Sequence, residues 1–172
     1  MSITTLALIL LVPVLVWRIY SRLKAQMQRQ RSIMSRHYTG LLVFAAMILV
    51  PAASLGDRPY ALLALAGGAL FGIILGMLGL RRTRFSENDA EAGYWFTPDP
   101  RLGVLVGMVL VARLIYLGIE IYMNQGSNLP NPRFSDSPLT TYCLGLTAGY
   151  FAAYSAGLVR WRLRLRKAIG TM

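Results

Sequence analysis

The stretch PRLGVLVGMVLVARLIYLGIEIYM, residues 100–123, decides the architecture. Asp99 before it reads as a helix N-cap, and Pro100 suits the first helical position, where a missing N–H costs nothing. The rest of the stretch is almost wholly apolar, and only Arg113 and Glu120 interrupt it past its first turn. At about 1.5 Å per residue, some 20 residues cover the roughly 30 Å hydrocarbon layer, so this block predicts a transmembrane helix.

Four further blocks flank it, at about Ile3–Tyr20, Tyr38–Ser54, Pro59–Leu80 and Pro138–Val159. Each is long enough to span, the second only barely. Pro13 sits inside the first block and is expected to kink it. No basic residue precedes that block and Arg18, Arg22 and Lys24 follow it, the reverse of a secretory signal peptide. Only Leu55-Gly56-Asp57-Arg58 separates the second block from the third, which predicts an antiparallel helical hairpin. Ser137 and Pro138 repeat the cap-then-proline signature ahead of the fifth block.

Composition agrees. The 172 residues are 55% hydrophobic and 15% charged, with a mean hydropathy of +0.50. A soluble domain carries about 25% charge. A soluble globular enzyme and a disordered chain are both excluded on this ground. The expected fold is all-α: a polytopic membrane protein of five transmembrane helices forming one bundle over residues 1–172.

The net charge of +11 would suggest nucleic acid in a soluble chain. Here the basic residues flank apolar blocks, so they read as a topology signal and as contacts to anionic lipid headgroups, not to nucleic acid. Fifteen of the eighteen Lys and Arg fall on one side of the five blocks. Arg58 and Arg133 fall on the other, and Arg113 lies within a block. The excess predicts the N-terminus outside and the C-terminus in the cytoplasm of a bacterial-type inner membrane. Trp17, Tyr20, Tyr38 and Trp161 at one set of ends, and Tyr60, Tyr122 and Tyr142 at the other, suit interfacial depths.

Two connections carry information. In residues 81–101, Phe85 and the run Tyr94-Trp95-Phe96 flank a polar Glu87-Asn88-Asp89 stretch, which predicts a short hairpin. Its acidic residues (Glu87, Asp89, Glu91, Asp99) are placed to dock on the basic flanks. The segment Asn124–Ser137 reads as irregular.

Small residues recur every four positions in two blocks. Gly68, Gly72 and Gly76 follow Ala64 in the third, and Gly145, Gly149 and Gly157 sit with Ala153 in the fifth. Such stripes let another helix approach closely. They fit packing within the bundle or a homodimer seam, and the spacing does not separate the two.

Arg113 is the most informative residue. Counted along the fourth block, it is expected near the bilayer midplane, where an arginine must face the protein interior and have a partner. Tyr116 and Glu120, three and seven residues on, share its helix face. Tyr150 and Tyr154 share a face of the fifth block and would reach Arg113 if the two helices are neighbours. Arg113 then reads as a structural clamp, on Glu120 or on backbone carbonyls, or as a buried site for an anionic solute or lipid.

The single cysteine, Cys143, allows no internal disulfide, and the single histidine, His37, allows no multi-His metal site. Cys143 reads as a small apolar residue and His37 as an interfacial one. The tail RWRLRLRK reads as a helix end on anionic lipid. No catalytic residue, cofactor or metal set is assigned, because neither a nucleophile–base pair nor a phosphate loop stands out.

Three stretches carry a family resemblance. They are WRIYSRLKA (Arg18, Lys24), TRFSENDAEAGYWF followed by VLVARLIY (Arg113), and LVRWRLRLRK (Arg160). With the layout of spans they resemble the CcdC-like membrane family, named for a cytochrome c defect locus. The resemblance points to Arg113 and Arg160 as positions that matter, and implies an auxiliary role linked to cytochrome c or thiol metabolism. The resulting expectation is a non-catalytic accessory or assembly protein that binds a partner membrane protein. The alternative is a small carrier or receptor for an anionic solute or lipid centred on Arg113.

Overall fold

The computed structural model describes residues 13, 14, 16–18, 20, 21, 30–88, 93–124 and 137–169. Most of the expected first span, Lys24, Arg22 and Arg29, the acidic Asp89 and Glu91, and the expected irregular segment between Asn124 and Ser137 lie outside them.

The fold is mostly helical. Helix α1 is described at positions 13, 14, 16–18, 20 and 21. It is followed by β1 (Gln30–Arg31), α2 (Met34–Ser54), α3 (Pro59–Arg82), β2 (Arg84–Asn88), β3 (Gly93–Thr97), α4 (Pro100–Met123) and α5 (Pro138–Ile169). The all-α expectation therefore needs one correction: a three-stranded antiparallel sheet, in the order β1-β3-β2, caps one end of the helices. The β2–β3 hairpin pairs Phe85 with Phe96, and β1 adds a third strand by pairing Gln30 with Phe96.

Local chemistry explains most boundaries. The Asp99 side chain accepts a hydrogen bond from the Arg101 backbone N–H at 3.0 Å, and Pro100 occupies the first turn of α4. Pro59 does the same for α3. Helix α2 starts four residues before the expected Tyr38, which brings His37 inward. There His37 Nε2 shares a 2.9 Å hydrogen bond with Ser32 Oγ, and its ring meets the edge of Phe96. Helix α5 continues ten residues past the expected end at Val159, and Trp161 on that extension packs against Phe85 of β2. Leu and Arg are good helix formers, so loss of apolar character at Arg160 does not end the helix.

Helix α5 is the axis. It packs along α3, with α2 and α4 on its flanks. Leu65 and Ala69 of α3 lie against Gly145 and Gly149 of α5, so residue numbers rise together and the two helices run parallel. Phe44 stacks on Phe151 and Gly40 faces Ser155, so α2 runs antiparallel to α5. Pro59 and Pro138 begin their helices at one level, beside the Leu55, Ala61, Leu65 and Leu144 core cluster. The sheet, Arg82, Arg101 and Arg160 mark the opposite, arginine-rich end.

Helices α2, α3 and α4 are long and apolar enough to cross a membrane. Helix α5 is longer than any of them but less apolar. Its Thr140, Thr141, Thr147 and Tyr150 are buried against the other helices. A helix surrounded by protein does not need the continuous apolar surface that lipid demands, which is why hydropathy picks out its neighbours first.

Candidate functional site

The glycine stripes lie opposite one another across α3 and α5 of the same chain. A Cβ at Gly68 would strike the backbone carbonyl of Tyr142, and at Gly72 that of Leu146. At Gly76 it would come 2.5 Å from the carbonyl oxygen of Tyr150. From the other side, a Cβ at Gly145 or Gly149 would meet the carbonyls of Leu65 and Ala69, and one at Gly157 would meet the Leu80 side chain. Backbone touches backbone at Gly68, Gly72, Gly76, Gly145 and Gly149, so no side chain fits there, while at Gly157 the neighbour is the Leu80 side chain.

Arg113 is on the other flank of α5. Its Nε donates to Thr140 Oγ1 at 2.9 Å, and its Nη2 donates to Ser137 Oγ at 2.8 Å. Its guanidinium carbon lies 5.0 Å from the centre of the Tyr116 ring, a cation–π distance. Thr147 Oγ1 donates to Cys143 O at 2.9 Å and lies 3.5 Å from Val106 O, continuing this polar joint between α4 and α5. Its apolar part is Val106, Leu146 and Tyr150.

Two features of Arg113 are set by its neighbours. The first is its level against α5. Its partners Ser137 and Thr140 are in the first turn of α5, so Arg113 is level with the start of α5 and α3 and not with their middles. Helix α4 is displaced along its axis relative to α5. It runs ten residues beyond Arg113, about 15 Å by helical rise. The second is partnership. Arg113 is held by two hydroxyls of α5 and by Tyr116, and among the described residues no ion pair joins it to Glu120.

Tyr150 and Tyr154 belong elsewhere. Tyr154 Oη lies 2.8 Å from Thr83 Oγ1, whose single proton goes to Gly79 O at 3.0 Å, so Tyr154 donates to Thr83. Tyr150 stacks on Tyr154 with ring centres 6.2 Å apart, and its hydroxyl approaches the backbone at Gly79. These two tyrosines tie α5 to the end of α3, near the arginine-rich end. The candidate set thus divides into Arg113 with Tyr116, a Glu120 apart from them, and a separate Tyr150–Tyr154–Thr83 group. From sequence, Ser137 reads only as a helix cap and Thr140 only as a generic hydroxyl. Their Ser-Pro-x-Thr spacing puts both hydroxyls on one helical turn, which is the signal that could match them to a planar cation.

At the arginine-rich end, Arg82 lies 3.8 Å from Asp99, joining α3 to the start of α4. Cys143 is buried and free.

The family pattern described as CcdC protein matches residues 1–168, nearly the whole chain. The chain belongs to the CcdC family. Neither the curated proteins nor the solved structures contain a significant match. The matched residues include the helices, the capping sheet and the Arg113 joint.

Proposed function

We propose that this CcdC family member is a non-catalytic accessory or assembly protein of a bacterial-type inner membrane. It binds a partner membrane protein of cytochrome c or thiol metabolism. The orientation that goes with this reading puts the sheet and the arginine-rich end in the cytoplasm, in keeping with the excess of Lys and Arg there. The single cysteine is buried, which favours a supporting role over thiol exchange by this chain.

The observation that carries the reading is the overhang of α4. Beyond Arg113 the helix extends past the start of α5, and there Leu114, Ile119 and Met123 are exposed while Leu117 is buried and Glu120 half-buried. Gly118 on this stretch has open space where a Cβ would be, unlike the filled seam glycines. Exposed apolar side chains on a helix that extends past its packing partner α5 suit the flank of another protein.

A photo-crosslinker at Leu114 or Met123 tests this in native membranes. The expected result is one discrete adduct, absent when the probe is at Leu49 or Val50 on α2. Equal labelling from both helices contradicts it. Loss of the gene should also lower haem attachment to c-type cytochromes.

A second reading has one observation in its favour. The Arg113 guanidinium lies beside the first turn of α5, where the helix dipole is also positive. No carboxylate bonds to Arg113 among the described residues. That arrangement suits a carboxylate or phosphate ligand.

A further inference from the structure

We propose that the groove between α1 and α4 seats one acyl chain of an anionic phospholipid, with the lipid phosphate at Arg101. The groove is a cavity of about 530 Å³ walled by Leu105, Met108, Val109 and Ala112 of α4, with Tyr20 of α1 across from them. Apart from Arg101 at one end and the Tyr20 hydroxyl, the named walls offer no polar side chain. A second hollow of about 350 Å³ continues it past Ile115 and Ile119, with Val16 opposite. Met108 and Ala112 line both, so the two hollows adjoin along the helix.

Length and charge select the occupant. From Arg101 to Ala112 the first hollow runs eleven residues, about 16 Å, close to half of the roughly 30 Å hydrocarbon layer. That is the depth of one leaflet. Arg101 is exposed at the mouth. Asp99, two residues before it, caps the α4 backbone through one oxygen and faces Arg82 with the other. The Arg101 guanidinium has no hydrogen bond or ion pair among the described residues, and its planar donor set matches a phosphate. Tyr20 on the facing wall is an amphipathic ring of the kind favoured at a membrane interface. A zwitterionic lipid would bring a second cation to the same mouth, so an anionic headgroup fits better. Arg101 and the first hollow lie toward the other end of α4 from Met123, whereas Ile119 belongs both to the second hollow and to the face proposed for a partner. The lipid site does not depend on that partner.

The test is native mass spectrometry of the full chain in mild detergent, with equimolar phosphatidylglycerol and phosphatidylcholine of matched acyl chains. One phosphatidylglycerol should be retained per chain in preference. Arg101→Gln should lower the phosphatidylglycerol-to-phosphatidylcholine ratio about fivefold, the effect of one basic side chain at an anionic lipid surface, with the melting temperature unchanged. Arg101→Lys should keep most of the preference. Ala112→Phe, which puts a ring where the two hollows join, should reduce retention of both lipids. Arg164→Gln, an exposed arginine outside the groove, should leave the ratio alone. The proposal is overturned if Arg101→Gln keeps the ratio, if Arg164→Gln lowers it equally, or if Ala112→Phe still retains lipid.

Discussion

Helix α5 meets its two most informative neighbours in opposite ways. Against α3 the contact is backbone on backbone, made possible by glycines on both sides. Against α4 it is a joint of hydroxyls and a guanidinium around a small apolar patch. Lipid tails are as apolar as leucine, so helices in a membrane hold together by close packing and by hydrogen bonds, not by the exclusion of water. This chain uses one of these on each flank. A seam without spare volume fixes a single register. A joint of a few polar contacts, from Val106 to Arg113, leaves the last ten residues of α4 beyond the start of α5.

Substitutions can break this contrast. The largest effect is expected from Gly72→Leu, which forces a side chain into the backbone of α5. The loss should be about 3 kcal/mol or more, read as a collapse of folded yield and melting temperature in detergent. Arg113→Leu should be intermediate. It leaves the Ser137 and Thr140 hydroxyls without their donor, at a cost of about 1–3 kcal/mol, and thermal melts should show the drop. If the variant instead melts normally and loses only a stabilisation by added phosphate, Arg113 is an anion site and not a clamp. The smallest effect belongs to Gly67→Leu. This glycine is next to the seam glycine Gly68 in sequence but has nothing within 4 Å of its added Cβ, so a change within about 0.5 kcal/mol is expected.

Sequence reading reaches some of these elements and misses others for identifiable reasons. The start of α4 is legible because Asp99 and Pro100 are local signals that need no tertiary context. The hairpin at Phe85 and Phe96 is legible from aromatic placement around a polar turn. The glycine spacing is legible too, but not what lies opposite, since a stripe carries no record of its partner. The level of Arg113 against α5 is not legible because position along one helix does not reveal how far that helix slides against another. Ser137 and Thr140 are 24 and 27 residues away in sequence, so no local pattern links them to Arg113. Tyr150 and Tyr154 do share a face, but that face turns toward Thr83 and Gly79 at the end of α3. The two-residue β1 is too short to leave a pattern at all.

The central claim is that the glycine seam closes within one chain. Oxidation of a Leu80→Cys, Gly157→Cys pair on a Cys143→Ala background tests it in native membranes, since the Leu80 side chain lies against Gly157. An intramolecular disulfide is predicted, seen as a monomer that has lost two hydrogens and the reactivity of both thiols. Disulfide-linked dimers without the closed monomer would contradict it and place the seam between two copies.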